Sequence, residues 1–135
     1  MHVDEEWAKQ ISELLSREVS EFYKRKKVKM DISDYQKKAI TTAIYPKANK
    51  IIYPALGLAG EAGEVADKVK KIIRDNNDTD EMKQNIAAEI GDVLWYCAVL
   101  AHDLGFDLAQ IADSNLQKLA DRQQRGVLQG SGDTR

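Results

Sequence analysis

The chain has 135 residues, of which 43% are hydrophobic and 31% charged, with a formal net charge of −2. That is enough for one compact domain with a real core, and the balanced charge excludes a broad basic field for tracking a nucleic-acid polymer. No apolar run approaches the ~20 residues that span a bilayer, the acidic start "MHVDEEWAKQ" lacks a signal core, and the lone Cys97 permits no intrachain disulfide, so a reducing, cytoplasmic setting is expected.

Residues 4–27 carry Trp7, Ile11, Leu14, Val19 and Phe22 at helical intervals and run into the basic stretch "KRKKVKM". That stretch reads as a solvated helix end or as a phosphate contact. "SDYQ" offers Ser33 and Gln36 as a capping box for a short helix to about residue 44. Pro46 and Pro54 bracket a break. A helix over residues 54–74 follows, with Leu58, Ala62, Val65, Val69, Ile72 and Ile73 along one side. Asp78 and Glu81 suggest a second box before a helix over 79–104, which Gly105 stops. Asp107 and Gln110 suggest a third, opening a last helix to about residue 123 before the glycine-rich tail "RGVLQGSGDTR". No stretch alternates with period two. The expectation is an all-α, four-to-five-helix antiparallel bundle: residues 1–30 as an N-terminal helix, 32–124 as the core and 125–135 as a tail.

Two of these helices carry acidic pairs at the same spacing. With Leu58 at zero on a helical wheel, Glu61 falls near about 300° and Glu64 near about 240°. With Ile86 at zero, Glu89 and Asp92 take the same two offsets, while Ile90, Val93, Cys97 and Leu100 gather round the origin. Both pairs therefore flank a core stripe. Packed side by side, the two helices bring four carboxylates together, and that much negative charge is stable only when neutralised by hard cations such as Mg²⁺ or Mn²⁺. Gly60, Gly63 and Gly91 leave room for a close helix approach or a ligand. The plainer alternative is a solvated helix surface, with Lys68 pairing Glu64 one turn away. Trp95 falls opposite the core stripe, where another subunit or the N-terminal helix would cover it. Cys97 reads as a small buried hydrophobe, and His102 as a surface residue near a helix end.

The order Glu61-x-x-Glu64, Glu89-x-x-Asp92, in the settings "GLAGEAGEVADKVKK" and "EIGDVLWY", resembles the MazG-like all-α nucleoside triphosphate pyrophosphohydrolases. So does "NLQKLADRQQRG", with Asn115 and Lys118 at an N-x-x-K spacing, and the ending "GSGDTR" is similar to short, bacteriophage-type members. The resemblance covers residues 35–135 and leaves the first thirty outside it. It implies cleavage of a triphosphate, usually a deoxynucleotide, between the α and β phosphorus. It also implies Mg²⁺ or Mn²⁺ at Glu61, Glu64, Glu89 and Asp92, with Glu61 or Glu64 as the proton acceptor. A homodimer or homotetramer would build the site jointly, in the host cytoplasm if the gene is a phage's. Asn115, Lys118, Arg122, Arg125 and Arg135 are the candidates for phosphate or sugar, and Tyr96, one turn beyond Asp92, for the base or the seal of the site. Three alternatives stand beside it: a phosphoribosyl-nucleotide pyrophosphohydrolase on the same scaffold, a non-catalytic helical interaction module, and a ferritin-like di-iron bundle. The last wants Glu-x-x-His pairs, which this sequence lacks.

Overall fold

The computed structural model describes residues 28–134 and, before them, Lys9, Gln10, Glu13 and Arg17, which are helical and exposed. The chain divides into two compact units, Met1–Met30 and Asp31–Arg135. The apolar positions expected on the N-terminal helix, Trp7, Ile11, Leu14, Val19 and Phe22, lie outside the described residues, as do Lys24, Arg25, Lys26 and Lys27 of the basic run.

The second unit is built from four α-helices, and no strand occurs among the described residues. They are α1 (Ile32–Ile40), α2 (Ile52–Asp75), α3 (Asp80–Asp103) and α4 (Leu108–Gln124), with a 3₁₀ turn at Lys47–Asn49. The all-α reading holds, and the three longer helices match the expected ones to within about two residues at each end. α3 is the hub: it packs against α2, α1 and α4, and α1 also meets α4.

Asp107 caps α4 as expected, accepting from the Ala109 amide, whereas the other two expected caps form differently. Asp31, not Ser33, caps α1, its carboxylate accepting from the amides of Ser33 and Asp34. Ser33 instead donates through Oγ to Asp107, the N-cap of α4. Thr79, not Asp78, caps α3 through the amide of Met82. Gln36 is buried and caps nothing on its own helix. Its Nε2 donates to the carbonyls of Ala98 (3.0 Å) and Phe106 (3.1 Å), and its Oε1 accepts from the amide of Leu108 (3.0 Å). One side chain thus ties α1, α3 and the first turn of α4, whose leading amides have no partner within their own helix.

The stop at Gly105 forms as expected. Gly105 takes φ 84°, the Phe106 amide bonds the carbonyl of Ala101, and the Gly105 amide bonds that of His102. This is the Schellman pairing that favours a residue without Cβ. Gly126 ends α4 in the same way, through the Val127 and Gly126 amides.

The apolar stripes are only partly right. Around the core of Ala39, Ala98, Ala101 and Leu108 pack Ile32, Tyr35, Trp95 and Cys97. Trp95 therefore faces this unit's own core, under α1, with its indole N–H donated to Thr42 Oγ1 at 2.8 Å. The expectation that Trp95 points away from the core is corrected. Conversely, Ile90 of the expected stripe is 55% exposed, and Ile73 on α2 is 77% exposed. α3 is apolar over most of its circumference, so its own wheel could not say which side would meet α1.

The entry to α2 is strained. Ile51 sits at φ 69°, ψ −54°, and the Ile52 amide bonds the Lys50 carbonyl at 2.8 Å, which closes a γ-turn. A β-branched residue is disfavoured there. Asp103 holds the turn in place: one carboxylate oxygen accepts from Tyr45 OH (2.6 Å) and from the Ile51 amide (3.1 Å). Pro54 follows within the first helical turn, where its missing amide costs nothing. Because the Ile51 residue is 43% exposed, little apolar burial offsets the strain. Ile51→Gly should gain about 1 kcal/mol and raise Tm by roughly 2–8 °C in a thermal melt. An unchanged or lower Tm would remove the strain argument.

Candidate functional site

α2 and α3 run antiparallel, and their contacts fix the register. The Tyr96 ring lies against Gly57, in the space a Cβ would need. One turn on along α2, Glu61 comes together with Asp92 and Glu89, each offering a carboxylate oxygen within 4.8 Å of the others. The close helix approach is thus at Gly57. At Gly60, Gly63 and Gly91 an added Cβ would meet nothing within 4 Å, so those three glycines leave open space beside the acids.

Three of the four candidate acids form this cluster. Glu61 and Glu89 are half-buried and Asp92 is exposed. The fourth, Glu64, falls level with Glu89 in the register but is exposed and stands outside the three. Lys68 pairs with Glu89, its Nζ 3.0 Å from Oε1. The expected Lys68–Glu64 pair is therefore replaced by a pair across the helix seam. Partial burial first, and then the negative charges of Asp92, Glu89 and Glu64, hold the Glu61 carboxyl above its ordinary range. The hydrogen bond to Glu89 raises the Lys68 ammonium. Carboxylate oxygens crowded on one another, with repulsion left over, make a donor set that fits a hard divalent cation.

Aromatic rings continue the same seam. Tyr96 stands edge-on to Trp95 at 4.9 Å, and Tyr53 stacks on Tyr45 at 4.8 Å. Burial, the neighbouring Tyr53 and the acids Glu61 and Asp92 all push the Tyr96 hydroxyl up, so it stays neutral beside the cluster. Tyr35, from α1, is raised by burial and then by Asp92. Burial also raises the Cys97 thiol, consistent with a packing role. Tyr45, Tyr53 and Tyr35 escaped the sequence reading. The signal was faint: Tyr53 stands one residue before a proline, and nothing local ties it to Tyr96, 43 positions on.

The remaining candidates lie on α4 and the tail. Asn115 and Lys118 line a groove of about 700 Å³ together with Phe106, Gln110 and Ile111. Lys118 Nζ is 3.4 Å from Asp133 Oδ1. Arg122 is only 5% exposed. Its Nη2 donates to the carbonyls of Gly132 (3.4 Å) and Asp133 (3.0 Å) and to the Asp133 carboxylate (3.2 Å), so it fastens the tail onto α4. Arg122 Nε is buried without a hydrogen-bond partner. Arg125 pairs with Asp121 on its own helix (2.7 Å), and Arg135 lies outside the described residues. His102 is exposed in the last turn of α3. No helix among the described residues is long and apolar enough to cross a membrane.

Residues 54–127 match the MazG nucleotide pyrophosphohydrolase domain. The gene 37 protein of Mycobacterium phage L5 is 47% identical over 114 residues, which cover 78% of this chain and 100% of that protein. No solved structure matches the chain.

Proposed function

The chain belongs to the MazG nucleotide pyrophosphohydrolase family, and from that premise we propose that it hydrolyses nucleoside triphosphates, preferentially deoxynucleotides, to monophosphate and pyrophosphate with Mg²⁺ or Mn²⁺. The observation that carries this is the convergence of Glu61, Glu89 and Asp92 on the α2–α3 seam, inside the matched residues. Glu61, Glu89 and Asp92 would hold a divalent cation, which would supply positive charge opposite the phosphate oxygens and make a nearby water easier to deprotonate. We assign acceptance of the water's proton to Glu61 or to Glu64, which is exposed one turn away. Water oxygen bonds the α phosphorus, the α–β bridging bond breaks, and its electrons leave with pyrophosphate. Tyr96, neutral and packed on Gly57, closes the end of the seam towards the base.

Asn115 and Lys118 meet phosphate or sugar from the groove on α4, and Arg122 contributes by holding the tail over them. The acids lie on the α2–α3 seam, whereas α4 packs on α1 and α3. We assign the joining of the two sets to a second copy of the chain, in a homodimer or homotetramer. The open face of α2, where Leu56 is 70% exposed, gives that copy an apolar surface to cover. Control of a nucleotide pool in the host cytoplasm is the role that suits such an enzyme, given the phage relative.

The test is direct. The purified chain is incubated with each common ribo- and deoxynucleoside triphosphate, with Mg²⁺ or with EDTA. Monophosphate plus pyrophosphate, abolished by EDTA, is expected. Release of diphosphate and single phosphate first contradicts the bond assigned. Deleting residues 126–135 should raise KM about tenfold, equivalent to roughly 1.4 kcal/mol of lost binding. An unchanged KM removes the tail from the site.

A further inference from the structure

Lys68 makes the most enclosed lysine ion pair among the described residues: its side chain is 27% exposed and that of Glu89 18%. Lys37, Lys70, Lys71, Lys83 and Lys118 pair at 40% exposure or more, where such contacts contribute little. The position of Lys68 is informative. In the antiparallel register Glu64 is level with Glu89, so these two acids stand at the same height on neighbouring helices. Lys68 follows Glu64 by one turn, and helical side chains lean back over the preceding turn. Its ammonium bonds Glu89 and also feels the charge of Glu64, so it stands where Glu64 and Glu89 would share a second cation. Glu64 is left exposed, while Glu89 also offers a carboxylate oxygen to the cluster with Glu61 and Asp92.

An ammonium is a compact point charge with three donors. A divalent cation placed between Glu64 and Glu89 would face that charge at close range and would compete with it for the same carboxylate. We propose that Lys68 is a positioning residue that fills the outer half of the acidic site, so that the free protein takes one divalent cation, at Glu61, Glu89 and Asp92. This rests on the metal reading given above and adds what that reading leaves open: the number of ions and the residue that sets it.

The experiment counts ions on the full chain. Mn²⁺ is titrated into the protein without nucleotide, and free Mn²⁺ is read from its electron paramagnetic resonance signal. One ion per chain is expected for the native protein and for Lys68→Arg, and two for Lys68→Met. Adding Glu64→Gln to Lys68→Met should return the count to one, which locates the extra ion between Glu64 and Glu89. Thermal melts confirm that each variant folds, and Lys68→Gln serves if the methionine variant does not. Two ions in the native protein, one in a folded Lys68→Met or Lys68→Gln variant, or two in the double variant would overturn the proposal. No bound Mn²⁺ in any of them sinks the metal reading itself.

Discussion

Replacing Glu61 by glutamine should lower kcat by about 10²–10⁴-fold while leaving the fold intact or slightly steadier. The substitution keeps the shape of the side chain and removes one of the three converging negative charges. Loss of that charge weakens the cation's hold and removes a proton acceptor, so both proposed contributions of Glu61 go together. Stability should move the other way. Asp92, Glu89 and Glu64 all disfavour a charged Glu61, so the neutral amide relieves repulsion in the metal-free protein, a trade familiar where function demands a strained site. Two pairs of melts and one rate comparison decide the matter. Without divalent cation the variant's Tm should equal or exceed the native value. With Mn²⁺ the native Tm should rise and the variant's should move much less. A folded Glu61→Gln protein with near-native turnover would remove Glu61 from the chemistry.

Gln36→Leu should cost about 2–5 kcal/mol, the largest stability effect expected of a single apolar substitution here. The leucine fills nearly the same volume but offers neither donor nor acceptor. It leaves the Leu108 amide and the Phe106 carbonyl, both at the start of α4, without the partner that Gln36 supplies. A fully buried group so orphaned costs about 1–3 kcal/mol; the Leu108 bond is buried and the Phe106 bond partly so. The loss should appear as a lower urea midpoint with an unchanged slope, since the surface exposed on unfolding stays the same. Gln36→Glu separates the one accepted bond from the two donated ones. It keeps an acceptor for the Leu108 amide but sets a buried carboxylate against the Phe106 and Ala98 carbonyls, so its cost should match or exceed that of leucine at neutral pH and shrink at low pH, where the protonated carboxyl can donate. A loss below about 1 kcal/mol for Gln36→Leu would mean that water or a shifted backbone satisfies those groups.

The helices and the acids were legible because both are local properties. Helical pitch alone puts Glu61 with Glu64, and Glu89 with Asp92, on matching flanks. Gly105 announces its stop because only the chain within a few residues decides the Schellman pairing. The caps were nearly legible. Asp31 and Thr79 stand beside or near the residues expected, and Asx and threonine side chains compete for the same few amides. Sequence by itself thus determined the all-α class, the placing of the long helices and the acidic pairs. Only the tertiary structure decided which faces meet. A wheel gives each residue's angle on its own helix, but neither the helix's rotation against its neighbours nor the register between them. Hence Trp95 turned inward and Ile90 outward, and the tight contact fell at Gly57. Gln36 found partners 62 to 72 positions away, and Lys68 crossed the seam to Glu89 and left Glu64 outside the trio. Each of these depends on contacts between segments far apart in the chain, set by how the whole unit packs, and no local pattern encodes them.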